Sequence, residues 1–248
     1  MKVNNPGPTG LHAPEDEKLL GQRRAELSQR GSLFTAQEIV QQPRVWRESQ
    51  DGVEACRDEI DGFLLERFAL KGLQVFFCGA GTSAFIGDIV ADWLKVAGNP
   101  QQAVEFKSVS TTDFVTHPKV YTATDRPTLL VSFARSGDSP ESVATVEMAD
   151  QLLSDCHHLI LTCNPNGQLA QYAHANEKAL LLQMPQGSND RGFAMTSSFS
   201  SMLVSCISVF APDPLKLEQT ALAAESMISD RIEEITALAQ LTYDRAVV

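Results

Sequence analysis

The stretch Leu73-Gln74-Val75-Phe76-Phe77-Cys78-Gly79-Ala80-Gly81-Thr82-Ser83 decides the fold of this 248-residue chain. Its first six residues are a short apolar run of strand length. Gly79, Ala80 and Gly81 then make a turn, where glycine permits backbone conformations that other residues resist. A helix is predicted next, with Ile86, Ile89, Val90, Trp93, Leu94 and Ala97 along one side.

The same rhythm recurs downstream. Residues 103–106 read as a second strand and 128–132 as a third, followed by a turn over 134–139. Pro140 opens a helix to about Leu153, at the position where a missing N–H costs least. Residues 158–163 are a fourth strand, closed by Asn164-Pro165-Asn166-Gly167, and 179–182 are a fifth. A loop over 183–192 leads into a long helix, 193–210, rich in Ser, Met and Phe. Strands alternating with helices predict an α/β fold, a parallel sheet covered on both faces.

Upstream, residues 1–32 are polar and carry Pro6, Pro8 and Pro14; they read as a partly disordered arm with a short helix over 15–30. Residues 33–70 read as two helices. The first opens on a capping box of Thr35 and Glu38 and stops near Gln42, because Pro43 disfavours helix before it. The second runs over 53–70 with Ile60, Phe63, Leu64 and Phe68 on one face. A main domain then covers 71–211. Pro212 and Pro214 break the chain before a last helix over 215–242, and residues 245–248 read as the opening of another strand.

The formal net charge of −11 argues against nucleic acid as a partner. No apolar run reaches the ~20 residues of a membrane span, and no export signal is seen. Five cysteines, Cys56, Cys78, Cys156, Cys163 and Cys206, are odd in number and irregularly spaced, which suits a reduced cytoplasmic protein. Cys156, His157, His158 and Cys163 suggest a metal site, but alternating strand positions point to opposite faces, and zinc needs converging ligands. No metal is expected.

In open parallel sheets, ligands bind beyond the carboxyl ends of the strands. Three loops there share a composition: Gly79-Ala80-Gly81-Thr82-Ser83, Arg135-Ser136-Gly137-Asp138-Ser139, and Gly187-Ser188-Asn189-Asp190-Arg191-Gly192. Glycines admit close approach of peptide N–H groups, hydroxyls donate without bulk, and helix N-termini attract anions. The loops suit phosphate. Ordinary strand-to-helix turns would use the same residues as caps. Gly79 to Ala84 also fits the dinucleotide fingerprint G-x-G-x-x-A, with Glu105 as the ribose acid, which keeps an NAD enzyme as an alternative. A second Ser-rich turn, after the third strand, favours a monosaccharide phosphate instead. No P-loop lysine and no G-x-S-x-G nucleophile elbow are present. His117 and His174 read as surface or packing residues, and Met195, Phe199 and Met202 as a core stripe.

With Phe77 to Ser83, Ser132 to Ser142, Leu161-Thr162-Cys163-Asn164 and Asn189 to Phe199 in view, residues 33–248 resemble the sugar isomerase (SIS) domain family. Within it they look most like the bacterial tagatose-6-phosphate ketose/aldose isomerase group, also described as galactosamine-6-phosphate deaminase/isomerase. Ala36 to Ile39 followed by Gln41-Gln42-Pro43 is a further marker. The resemblance implies a five-stranded parallel sheet in a flavodoxin-like three-layer α/β/α sandwich. It also implies isomerisation or deamination of a phosphorylated sugar through an enediol or enolamine, without a cofactor, in a homo-oligomer.

By similarity to the isomerase domain of glucosamine-6-phosphate synthase, Thr82 and Ser83 bind sugar or phosphate, and Arg135, Ser136 and Ser139 carry over from its phosphate turn. The candidate binding residues are thus Gly81, Thr82, Ser83, Arg135, Ser136, Gly137, Ser139, Asn189 and Arg191. The chain departs from the pattern at Ala134, where the related turn has serine, and at Arg135, which replaces a neutral amide; a guanidinium can grip phosphate in two places. The group resembles a tandem of two SIS domains, and this chain is expected to stop as the second begins. The proton-transfer groups are expected in that second domain. Asp138, Glu141 and Asp190 are the acids on the loops here, and cap or solvent roles account for them. A sugar-phosphate-binding regulator without catalysis is the other alternative. It is disfavoured because the segment before the first strand shows no basic recognition helix.

Overall fold

The computed structural model describes residues 17–97, 104–211 and 215–245. The described chain opens on a hairpin of two short strands, β1 (Lys18–Leu19) and β2 (Gln22–Arg23). Its two turn residues, Leu20 and Gly21, both have positive φ, 50° and 75°. A tight turn that matches the twist of its strands requires this. Only α1 (Arg24–Gln29) is helical there, so the helix expected over 15–30 is corrected to a hairpin and a short helix. Residues 1–16 of the expected arm lie outside the described residues.

The two-helix reading of 33–70 is corrected in its boundary. Helix α2 (Leu33–Ala55) runs through Pro43, and α3 (Arg57–Phe68) follows after Cys56. Proline removes the N–H that would bond the carbonyl four residues back. That carbonyl, Ile39 O, instead accepts from the Gln42 side-chain amide at 3.4 Å. The rest of the cost is offset by burial, since Pro43 and Val45 are buried in α2. The capping box does not form: Ser32 precedes the helix without a side-chain cap, and Glu38 is used elsewhere.

The central sheet contains β3 (Gln74–Gly79), β4 (Glu105–Ser110), β5 (Thr128–Ala134), β6 (Cys156–Thr162) and β7 (Ala179–Gln183). All pairings are parallel, in the order β4-β3-β5-β6-β7. The helices around it are α4 (Ala84–Ala97), α5 (Thr111–Thr116), α6 (Pro118–Thr122), α7 (Pro140–Leu152), α8 (Gln168–Ala175) and α9 (Ser197–Phe210), followed by α10 (Leu217–Asp230) and α11 (Ile232–Ala239). The three-layer α/β/α fold has the flavodoxin-like strand order that the resemblance implies. Short helices α5, α6 and α8 are additional to those the sequence predicts. The last helix, expected over 215–242, is broken at Arg231. The expected strand over 245–248 falls almost wholly outside the described residues.

Side chains alternate across the sheet with a period of two. Val75, Phe77, Val131 and Leu161 therefore pack with Ile60, Ile86, Val90 and Met202 of α3, α4 and α9. Phe76, Cys78, Leu130 and Ile160 pack with Phe114, Val146, Ala149 and Leu169 of α5, α7 and α8. Phe77 sits at the middle of the first layer, stacked on Phe106 and Phe133 with the Phe210 ring edge-on. Among the described residues, no helix is long and apolar enough to cross a membrane.

Two sequence expectations fail on position. The second strand begins at Glu105 and runs to Ser110, beyond the expected 103–106. Glu105 is therefore the first residue of β4, at the sheet edge opposite the glycine loops. Its carboxylate is held by Arg126 at 2.6 Å and Lys107 at 2.9 Å, so it cannot serve as a ribose acid at Gly79 to Ala84.

Candidate functional site

The register brings the strand ends level: Gly79 lies beside Ser110 and Phe133, Ala134 beside Thr162, and Thr162 beside Gln183. From this shared edge, the β3 loop leads into α4 on one face and the β5 loop into α7 on the other. A crevice opens where neighbouring strands send their chains to opposite sides, the place where such folds bind ligands.

The β3 loop turns very tightly. A Cβ at Gly79 would lie 2.4 Å from the carbonyl carbon and oxygen of Ser83. Gly81 has φ of 55°. Ser83 is buried and its hydroxyl lies 3.6 Å from the Met195 sulfur, while Gly81 and Thr82 are exposed.

The β5 loop is braced from β6. Gly137 has φ of 70° and its carbonyl accepts the N–H of Leu169 at 3.0 Å. Ser136 accepts the N–H of Asp138 on its hydroxyl at 3.2 Å and the Asn164 amide on its carbonyl at 2.8 Å. Asp138 accepts the Gln168 N–H at 2.9 Å, and so caps the start of α8. Ser139 precedes α7 but does not cap it; its hydroxyl donates to the Ser142 hydroxyl at 2.6 Å. The first turn of α7 therefore has no side-chain cap from Ser139.

The third loop is held from outside the sheet. Asp190 accepts the N–H groups of Thr196, Ser197 and Ser198 at 2.8, 3.1 and 2.9 Å, so it caps α9. Glu38 on α2 accepts the N–H groups of Arg191 and Gly192. Gln41 donates to Gly187 O at 2.7 Å and to the Ser197 hydroxyl at 2.9 Å. Trp46 donates to the Ser200 hydroxyl at 2.8 Å, which itself donates to Gln42 at 2.7 Å. Arg191 places its guanidinium over the Phe34 ring, 4.0 Å from the centroid.

The crevice holds a cavity of about 130 Å³, lined by Ala80, Ser83, Phe133, Ala134, Arg135, Ser136, Ser139, Ser142 and Met195. Of the nine candidate residues, Ser83, Arg135, Ser136 and Ser139 line it. Gly81, Thr82 and Gly137 lie in the loops that shape it. Asn189 is exposed and Arg191 faces Phe34, so neither lines it. Ser142 and Met195 were missed. Ser142 follows Ser139 by three residues, one helical turn, which was the available signal. Met195 was read as core; it packs against the first layer as Phe199 and Met202 do, and it lines the cavity as well. Arg135 is the charged residue of the lining, and its Nη1 donates to Gly192 O at 3.1 Å. Cys163, at the end of β6, is buried, which pushes its thiol up to about 12 and keeps it from acting as a thiolate.

The Cys156 to His158 run divides as strand alternation requires. Cys156 packs in the α7 layer and His157 lies edge-on to Phe63 on the other side. His158 is buried with Nε2 on Asp150 at 2.9 Å. A larger cavity, of about 540 Å³, lies between the hairpin and α11, and no loop of the strand edge reaches it.

The SIS domain family's profile matches residues 70–211. The chain belongs to the SIS family. It is 40% identical over 210 residues to D-galactosamine-6-phosphate deaminase AgaS of Shewanella sp. (strain ANA-3), covering 85% of this chain and 54% of the relative. It is 46% identical over 182 residues to AgaS of Escherichia coli, covering 73% and 46%. Tagatose-6-phosphate ketose/aldose isomerase from Escherichia coli superposes with a TM-score of 0.71 at 41% identity, covering 84% of this chain and 54% of that one. The chain thus spans about half the length of the curated relatives it matches. The SIS match takes in every residue that lines the crevice cavity and leaves α2 outside.

Proposed function

We propose that this SIS domain binds a phosphorylated hexose or hexosamine in the β3–β5 crevice. In that reading it supplies the substrate cradle of an enzyme that deaminates and isomerises galactosamine 6-phosphate, or interconverts ketose and aldose forms of a tagatose-6-phosphate-like sugar. One observation carries the reading: four serines and one arginine line a small cavity at the first turn of α7. Helix N-termini and charge-assisted donors are what a phosphate needs. The names of the relatives support the sugar.

The cavity, about 130 Å³, is smaller than a complete small-molecule pocket, which starts at roughly 300 Å³. It suits the phosphate head, with the sugar rising over Ala80 and Met195 towards walls from another domain or subunit. Isomerisation requires a base to take the proton beside the carbonyl and an acid to return it. Asp138 and Asp190 are occupied as helix caps and Glu141 does not line the cavity, so we assign proton transfer to groups beyond these loops. A reducing cytoplasm suits the thiols, and a homo-oligomer suits the shared walls.

Calorimetry on the 248-residue chain tests the reading. Galactosamine 6-phosphate and tagatose 6-phosphate are expected to bind at least tenfold more tightly than galactosamine. Arg135→Ala should weaken the phosphorylated ligands by about 10- to 100-fold, as loss of a hydrogen bond from a charged group does. Ser136→Ala should weaken them less. Equal affinity for galactosamine, or an unchanged affinity in both variants, overturns the reading.

A further inference from the structure

We propose that Glu38 is a positioning residue for Arg135, acting through the Arg191–Gly192 peptide, an inference that rests on the β3–β5 crevice being the phosphate site. Glu38 is only 5% exposed, and it lies on α2, outside the matched family segment. A buried carboxylate is costly unless its oxygens are hydrogen-bonded. Here Oε1 accepts the N–H of Arg191 at 2.6 Å and of Gly192 at 2.9 Å, and Oε2 accepts the Thr196 hydroxyl at 3.3 Å. Two consecutive peptide N–H groups on one oxygen make an anion-binding concavity, filled by the protein's own carboxylate.

That grip fixes which way the next carbonyl points. Gly192 O accepts Arg135 Nη1 at 3.1 Å, and Arg135 lines the cavity. The turn is pressed against α2, since a Cβ at Gly192 would lie 2.6 Å from Glu38 Oε2 and 2.7 Å from the Thr35 hydroxyl. The Glu38 backbone is itself steadied, because the Ser197 hydroxyl donates to the Glu38 carbonyl at 2.8 Å. A long, flexible guanidinium side chain is thereby held at the cavity wall before any ligand arrives, which reduces the ordering cost of binding.

The test is calorimetric titration of galactosamine 6-phosphate, with inorganic phosphate as a second probe, into the 248-residue chain and four variants. Glu38→Ala is expected to weaken binding about tenfold. Glu38→Gln keeps the Oε1 acceptor and should recover affinity to within about threefold of wild type. The double variant Glu38→Ala/Arg135→Ala should be no more than about twofold weaker than Arg135→Ala, because both act along one path. Losses that multiply in the double variant overturn the inference. So does wild-type affinity in Glu38→Ala alongside a weakened Arg135→Ala. Wild-type affinity in Arg135→Ala overturns the phosphate-site reading, and this inference with it. If Glu38→Ala does not fold, Glu38→Asp replaces it: one methylene shorter, it should lose about fivefold, and wild-type affinity there rejects the relay.

Discussion

The Asp190 carboxylate takes both the peptide N–H and the hydroxyl of Ser198, at 2.9 and 2.6 Å. With the N–H groups of Thr196 and Ser197 on the same side chain, one acid takes three consecutive peptide N–H groups at the start of α9. Thr196, which precedes the helix, offers no side-chain cap of its own. Asp190→Ala leaves these buried donors unpaired and is expected to cost about 2–4 kcal/mol in urea unfolding. Asp190→Asn, still an acceptor, should cost roughly half as much.

The two glycines of the first loop serve different needs, and alanine distinguishes them. At Gly79 an added Cβ meets backbone at 2.4 Å. Gly79→Ala should therefore lose about 3 kcal/mol or more, or fail to fold. At Gly81 no atom lies within 4 Å of an added Cβ. The penalty there is only that of a left-handed backbone, about 1 kcal/mol. Thermal or urea unfolding of the two variants checks the ranking, and equal losses would refute it.

Acid should weaken the α7–β6–α8 layer through Asp150. Burial pushes this carboxyl up, but hydrogen bonds from His158 and Tyr172 outweigh it and hold the pKa below the usual 3.8. A depressed carboxylate contributes stability in full above its unfolded value and loses it as pH falls through the folded one. Unfolding midpoints of wild type should therefore drop more steeply than those of Asp150→Asn as pH falls below the usual carboxylate value of 3.8.

Thiol accessibility divides the cysteines sharply. Cys56 is exposed, while Cys78, Cys156, Cys163 and Cys206 are buried. Burial raises the pKa of those four thiols, which suppresses the reactive thiolate. A thiol reagent at neutral pH should modify one cysteine per folded chain and all five in denaturant. Cys56→Ser should abolish the fast phase.

Regular features were legible in the sequence, and long-range ones were not. The apolar run of Leu73 to Cys78 with its glycine turn marked β3 and its loop, because strand length, turn chemistry and helix periodicity are local properties. Ser83, Arg135, Ser136 and Ser139 stand in loops that the same local logic marks, and the register of parallel strands places them around one cavity. Pro43 misled the reading because a local rule was outweighed by packing and by the Gln42 amide on Ile39 O. Glu105 was misplaced because six residues decide which end of a short strand a side chain occupies. Glu38 matched a capping box by spacing, yet its partners lie 153 and 154 residues away, beyond any local pattern.

Helix α2 has a consequence for how this architecture can be exchanged between proteins. A recombination event that swapped residues 70–211 alone would import a 187–200 segment whose peptide donors, serine hydroxyls and glycine clearance are matched to Glu38, Gln41, Gln42 and Thr35 of another ancestor. The physically coupled unit is therefore wider than residues 70–211, and an exchange that keeps these contacts must carry the helix and the segment together.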